Sequence, residues 1–110
     1  MTATLDSKET TLTGITEIIV ATDPGSGNQF ELLMAHAWNK DTTVKVITFN
    51  KVGGDVTPYE VAVLTMEPGS HANVVLAGLV LKNGQTLKAI VDANAASFEP
   101  IVSVSWFKIP

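Results

Sequence analysis

The side chains best suited to chemistry in this sequence are its two histidines. His36 lies in the middle of an apolar segment and His71 lies in a turn. Imidazole transfers protons and binds metals, but a zinc site needs further ligands, and the sequence does not determine which carboxylates approach either ring. No nucleophile elbow or paired metal-ligand motif is present. We therefore predict no catalytic residue, no metal site and no cofactor, and a protein that is not an enzyme.

A glycine-rich segment, DPGSGN at 23–28, follows an apolar run and invites comparison with a phosphate-binding loop. It lacks the Lys-Ser/Thr ending of such loops, and a second strand pattern rather than a helix follows it. We interpret the segment as a turn.

The aromatic residues suggest a second kind of site. Trp38 and Tyr59 lie at the ends or edges of apolar segments, where exposed rings could stack on a carbohydrate. Tryptophan in a small sandwich more often fills a core or an interface. Both interpretations of Trp38 stay open at this point.

Composition limits the class of protein. The chain has 110 residues, enough for one domain with a single core, and it contains no cysteine. Its net charge is −4, and its seven basic residues are scattered lysines with no arginine. This pattern argues against nucleic acid as a partner. No segment is apolar for long enough to span a membrane, and the first residues lack the pattern of a signal peptide.

Short apolar segments alternate with turn residues from Gly14 onward, and none shows a sustained helical period. This pattern predicts a single all-β domain over 14–110, an antiparallel β-sandwich of about seven strands, either jelly-roll-like or immunoglobulin-like. The predicted strands are Ile15–Ala21, Phe30–Trp38, Thr43–Phe49, Tyr59–Met66, Ala72–Leu76, Thr86–Val91 and Ile101–Phe107.

Alternation along the strands predicts their faces. In the last strand Val102, Val104 and Trp106 oppose Ser103, Ser105 and Phe107, so Phe107 is expected outside the core. Uniform alternation over Phe30–Trp38 puts Leu32, Met34, His36 and Trp38 on one face and Leu33, Ala35 and Ala37 on the other. A strand that is apolar on both faces is either central to a thick core or covered by another subunit.

Two segments are predicted to be irregular. Residues 1–13 carry few large apolar side chains, so we expect a flexible N-terminal arm that becomes ordered only against something else, such as a neighbouring subunit. The segment GLVLKNG, residues 78–84, is either a corner in which Leu79 and Leu81 cover an open end of the sandwich, or part of a continuous hairpin with Gly78 as a bulge.

Several segments together resemble the small β-sandwich proteins of tailed bacteriophage particles. These segments are ITEIIVAT, NQFELLMAHAWNKDTTVKVITFN, LTMEPGSHANVV, LAGLVLKNGQTLKAIVDA and EPIVSVSWFKI. The class includes head decoration or cement proteins, head fibres and tail-associated modules. The resemblance implies a symmetric oligomer, commonly a trimer, whose subunits bury apolar sheet faces against each other and whose arms reach over neighbours.

The function that the resemblance implies is structural: a capsid decoration protein that stabilises the phage head as a homo-oligomer bound to the major capsid protein. We expect the protein to be made in the host cytoplasm and to reside in the virion. The residues predicted to contact subunits or capsid are Leu5, Leu12, Trp38, Phe49 and Phe107. The alternative is a carbohydrate- or receptor-binding module of a phage tail or fibre, with Trp38 and Tyr59 as stacking residues.

Overall fold

The computed structural model describes residues 3–54 and 56–110, and these residues form nine strands in two antiparallel sheets. The strands are β1 (Thr4–Thr11), β2 (Ile18–Ala21), β3 (Gln29–Trp38), β4 (Lys45–Gly53), β5 (Val56–Met66), β6 (His71–Val75), β7 (Val80–Leu81), β8 (Gln85–Val91) and β9 (Ile101–Ile109). The predicted antiparallel all-β class is confirmed. The two strands beyond the predicted seven are β1 and β7.

The strand order identifies the sandwich as a jelly roll. Sheet I has the order β1-β9-β3-β6, with β7 also paired to β3, and sheet II has the order β2-β8-β4-β5. The chain is therefore a doubled-back ribbon in which β4 pairs with β5, β3 with β6, β2 with β8 and β1 with β9. Successive pairs alternate between the two sheets, as in a jelly roll. This order excludes the immunoglobulin-like alternative.

The core fills the space between the two sheets, and the alternation of side chains along β9 shows which of them belong to it. Val102, Val104 and Trp106 are buried, whereas Phe107 lies on the outer face and is 37% exposed. The predicted faces of β9 are confirmed. Trp106 stacks on Phe30 of the neighbouring β3, with ring centroids 5.0 Å apart.

The faces predicted for β3 are wrong beyond Leu32. Leu32 is buried, but a register shift between Leu32 and Met34 in the pairing with β9 marks a bulge. An extra residue in one strand moves each later side chain of that strand to the opposite face of the sheet. Ala35 and Ala37 are therefore buried with Leu32, and the outer face receives Met34, His36 and Trp38.

The N-terminal segment also differs from its prediction. Residues 4–11 form an edge strand that pairs with β9 from Thr4↔Lys108 to Thr11↔Ile101, and Leu12 beyond it is buried. Met1 and Thr2 lie outside the described residues. A flexible arm was expected because the segment has few large apolar side chains. Backbone hydrogen bonds to β9 and the buried Leu12 nevertheless hold the segment in place.

The GLVLKNG segment forms a corner. β6 and β7 both lie beside β3, Leu81 is fully buried, and Leu79 packs against the core. β8 pairs instead with β2 and β4 in the other sheet. The continuous hairpin is therefore excluded.

One close backbone approach makes Gly53 irreplaceable at the end of β4. Its φ is +98°, and a Cβ atom there would lie 2.3 Å from the carbonyl oxygen of Gly84. We expect Gly53→Ala to lower the free energy of unfolding by about 3 kcal/mol, because positive-φ strain and a backbone clash act together.

The matched control for Gly53 is Gly69→Ala in the turn before β6. Gly69 has φ +74° but no atom within 4 Å of an added Cβ. In this variant only the positive φ is unfavourable for alanine, so the free energy of unfolding should fall by about 1 kcal/mol. Urea unfolding of both variants measures the difference, and equal losses would contradict the clash.

Candidate functional surface

The outer face of sheet I carries several exposed apolar side chains together with both histidines. Because paired residues of adjacent antiparallel strands share a face, the register assembles this surface in rows across β1, β9, β3 and β6. One row runs Ser7, Ser105, Met34, Val75; the next runs Glu9, Ser103, His36, Asn73; a third runs Thr11, Ile101, Trp38, His71. The surface therefore changes from apolar at one end to aromatic and polar at the other.

Four exposed apolar side chains form what we call the apolar patch: Leu5, Met34, Val75 and Phe107. Their exposed fractions are 64% for Leu5, 42% for Met34, 78% for Val75 and 37% for Phe107. Leu5 and Phe107 are register partners, as are Met34 and Val75. A groove of about 530 Å³ borders Leu5 and Met34 of the patch, and it is also lined by Asp6, Ser7, Leu33 and Ser105. Clustered exposed apolar groups of this kind mark interaction surfaces.

The other end of the surface holds what we call the histidine cluster: His36, His71, Asn73 and Trp38. Nδ1 of His36 is 2.6 Å from Oδ1 of Asn73, and Nε2 of His36 is 3.0 Å from Nδ1 of His71. The His71 ring stacks on Trp38 with centroids 5.0 Å apart and an interplanar angle of 13°. Each imidazole is thus oriented by a second group. The structure brings together the two histidines that sequence analysis treated separately.

Lys40 and Phe98 extend the cluster at the end of the sandwich. Nζ of Lys40 lies 5.2 Å from the ring centroid of Trp38 and 5.8 Å from that of Phe98. These distances are within the range of cation–π attraction. Phe98 belongs to the β8–β9 loop and is 56% exposed, so the aromatic surface continues beyond sheet I.

A buried carboxylate, Asp41, fixes the β8–β9 loop beneath this end. The backbone N–H groups of Ala96 and Ser97 each donate to Asp41 at 2.8 Å, and Nζ of the buried Lys45 lies 3.1 Å from Asp41 Oδ2. Lys45 also donates to the carbonyl oxygen of Asn94 at 2.9 Å. The Ala96 N–H, followed by those of Ser97 and Thr42 and by Lys45, holds the pKa of Asp41 well below its ordinary value, although burial acts in the opposite direction.

Asn39 completes this anchor from the end of β3. It is fully buried, and its side-chain N–H groups donate to the carbonyl oxygens of Thr43 at 2.9 Å and Met66 at 3.0 Å. Its Oδ1 accepts from the backbone N–H of Asp41 at 3.1 Å. Asn39 and Asp41 together tie three loops at one end of the sandwich, and Asn39 directly follows Trp38 of the histidine cluster.

The predicted contact residues fall into two groups. Leu5 and Phe107 are neighbours in the apolar patch, and Trp38 lies at the opposite end of the same face. Leu12 is 1% exposed and Phe49 is 0% exposed, so both are core residues of the folded chain and cannot contact another molecule. The prediction was wrong for Phe49 because alternation does not reveal which face of β4 turns inward, and for Leu12 because the segment was expected to be an arm that leaves the domain.

The two proposed stacking residues lie in different sheets. Trp38 is in β3 of sheet I, while Tyr59 is in β5 of sheet II. Tyr59 is 44% exposed, and Nζ of Lys51 is 6.0 Å from its ring centroid. They therefore do not form one platform, and a carbohydrate would have to use one of them without the other.

The remaining chemistry of the described residues is sparse. Within the described ranges, no group of three or more His, Cys, Asp or Glu is arranged to hold a metal ion, and no helix could cross a membrane. The glycine-rich segment is a turn in which the Gly25 N–H donates to Asp23 Oδ1 at 2.8 Å. Val75 and Asn73 have no signature in the sequence, because only strand register places them beside Met34 and His36.

Comparison with known proteins gives a fold and no family. No family model matches the sequence, and no curated protein matches it. Among solved structures the chain is similar to the Tobacco streak virus coat protein, with a TM-score of 0.50 and 15% identity over 96% of this chain and 84% of that chain. It is also similar to a chain of the Bacillus endospore appendages, described as a novel family of disulfide-linked pili, with a TM-score of 0.47 and 15% identity over 98% of this chain and 89% of that chain. At this identity the likeness to the coat protein supports the sandwich fold alone.

Proposed function

We propose that this protein is a non-enzymatic structural protein of a virus particle, and specifically a decoration protein that binds the head of a tailed bacteriophage as a homo-oligomer, with a trimer favoured. The observation that carries the proposal is the apolar patch, in which four side chains from four strands of one sheet face are exposed together. A rigid sandwich with such a face is suited to adding contacts at a subunit junction. The jelly-roll fold, shared with the coat protein above, supports the structural class.

The mechanism would be mechanical. Burying the patch against a second copy removes apolar surface from water, which stabilises association by about 25 cal/mol for each Å² buried. The oligomer would then contact the major capsid protein and hold neighbouring shell subunits together. The backbone hydrogen bonds between the strands of sheet I would keep the exposed face in a fixed shape, so little ordering cost would accompany binding.

A pair of lysine variants tests the patch as an interface between copies. Val75→Lys puts a charge in the patch, whereas Val63→Lys makes the same change on the outer face of sheet II, where Val63 is 45% exposed. We expect Val75→Lys to weaken self-association by about 100-fold, because an unpaired charge would be buried at the interface. Sedimentation equilibrium of the purified chain measures this effect. Equal behaviour of the two variants, or a monomeric wild-type chain, would contradict the homo-oligomer.

The location on a particle requires a separate measurement. Quantitative mass spectrometry of purified particles gives the copy number of this chain relative to the major shell protein. A ratio near one, or a simple fraction set by capsid symmetry, is the expected result. A handful of copies would instead favour the tail or fibre alternative, for which glycan retention that is lost in Tyr59→Ala or Trp38→Ala would be the decisive property. Absence from particles would overturn the proposal.

A further inference from the structure

We propose that His36 and His71 form a binding site for a divalent transition-metal ion of tetragonal geometry, Cu²⁺ or Ni²⁺, on the outer face of sheet I. The ligand atoms are Nε2 of His36 and Nδ1 of His71, and water completes the coordination. This inference is independent of the structural role proposed above, since it depends on the histidine cluster and not on the apolar patch.

The separation of the two nitrogens carries the proposal. They are 3.0 Å apart in the folded chain. With metal–nitrogen bonds of about 2.1 Å, that separation corresponds to an angle of about 90° at the metal. Adjacent positions of a square-planar or octahedral ion have this angle, whereas tetrahedral zinc would need the nitrogens about 3.4 Å apart. The pair is therefore close to the spacing for copper or nickel, and rotation of the two rings out of their shared hydrogen bond would turn both lone pairs toward one ion.

Neighbouring residues orient both rings in the way that outer-shell residues orient metal-binding histidines in other proteins. Nδ1 of His36 donates to Oδ1 of Asn73 at 2.6 Å, which leaves the lone pair on Nε2. A hydrogen bond from the second ring nitrogen to an oxygen is the usual outer-shell partner of a metal-binding histidine. The stack on Trp38 restricts rotation of the His71 ring. Both rings are thus restricted to a small range of orientations, which lowers the entropy that metal binding would cost.

Strand register makes the arrangement rigid. Asn73 is the partner of His36, and His71 is the partner of Trp38, so the two histidines occupy diagonal positions on one face of the β3–β6 pair. The backbone hydrogen bonds of the ladder fix this diagonal. Two charged side chains lie near the pair: Lys40, whose Nζ is 5.2 Å from the Trp38 ring centroid, and Glu9, which lies two strands away in the row of His36.

Metal binding would move one proton within the histidine pair and would need no further reactant. Because Nδ1–H of His36 donates to Asn73, Nε2 of a neutral His36 ring accepts, and Nδ1 of a neutral His71 ring carries the proton that it donates to that nitrogen. When the metal binds, the His71 proton moves through solvent from Nδ1 to Nε2, so two neutral imidazoles each provide one lone pair. No net proton is released from the neutral pair.

Titration of the purified full-length chain with CuCl₂ and NiCl₂ in a non-coordinating buffer tests the site. We expect one equivalent to bind by calorimetry, and the electron paramagnetic resonance spectrum of the copper complex to show coupling to two nitrogens. His36→Gln and His71→Gln should each weaken copper binding at least 10-fold and reduce the coupling to one nitrogen.

Two further variants separate positioning from ligation. Asn73→Ala should weaken copper binding by about 10-fold and keep the two-nitrogen spectrum, since it removes only the orienting acceptor. Ser103→Ala, on the same face, should bind copper as the wild-type chain does. Circular dichroism checks that each variant is folded. The proposal is overturned if folded wild-type chain binds no copper at millimolar concentration, if both histidine variants bind as tightly as wild type, or if zinc binds as tightly as copper.

Discussion

Phe49→Ala is expected to lower the free energy of unfolding by about 3–5 kcal/mol. Phe49 is fully buried in β4, the strand of sheet II that pairs with both β5 and β8. Its register partners are Ala62 and Ala89, whose small side chains cannot fill the space that the ring leaves. Since small domains are stable by only about 5–15 kcal/mol, this one change should remove a large part of the total.

Urea unfolding followed by tryptophan fluorescence measures the Phe49 effect, with Phe98→Ala as the matched control. The control deletes the same ring from the β8–β9 loop, where Phe98 is 56% exposed and lies outside the apolar patch, and should cost about 1 kcal/mol. If Phe49→Ala left the unfolding midpoint unchanged and weakened self-association instead, Phe49 would be a contact residue after all.

Asp41→Asn is expected to lower the melting temperature at neutral pH by on the order of 10 °C. The amide would lose the ion pair with Lys45 and would place a donor group where the N–H groups of Ala96 and Ser97 now donate. Lys45, which is 2% exposed, would be left with a single carbonyl partner, that of Asn94. The β8–β9 loop should detach first, because Asp41 is its main anchor.

The Asp41 contribution should also depend on pH. Because the pKa of Asp41 is lowered in the folded chain, the unfolded chain binds the proton more readily. The stabilisation is therefore complete above the unfolded value of about 4 and declines as the pH falls below it. Wild type and Asp41→Asn should thus differ strongly at pH 7 and progressively less in acid.

Thermal melts of both proteins between pH 2 and pH 7 measure this convergence. Asp23→Asn is the control, since Asp23 is an exposed turn carboxylate whose pKa is lowered by the backbone N–H groups of Gly25 and Gly84. It should change the melting temperature by much less. A constant difference between wild type and Asp41→Asn across the pH range would show that Asp41 acts through packing rather than through its charge.

The sequence was sufficient for the fold class, because alternation and turn residues are local properties. Val102, Val104 and Trp106 show this, since their spacing of two residues was enough to predict that they share the core face of the last strand. The bulge after Leu32 was not predictable, because one extra residue leaves no compositional trace while reversing the faces of Met34, His36 and Trp38. Strand order was equally inaccessible, since alternation does not say which strands pair.

The candidate surface was only partly predictable for the same reason. Leu5 and Phe107 were selected individually, but only register places them side by side. The contact between His36 and His71 spans 35 positions in the chain and depends on the β3–β6 pairing. Asp41 looked like an ordinary turn residue, and its role follows from three N–H groups that lie more than 50 positions later.

The doubled-back ribbon also has a consequence for how the chain folds. β4 and β5 are consecutive and need little loop closure, whereas β3–β6, β2–β8 and β1–β9 each enclose the pair before them. Closing larger loops costs more entropy, so pairings of this kind fold slowly and favour an order from the inside outward. β1 then joins last, after β9 has already paired with β3, and a pull on the N-terminal strand would open the molecule in the reverse order, starting at Thr4 and Lys108.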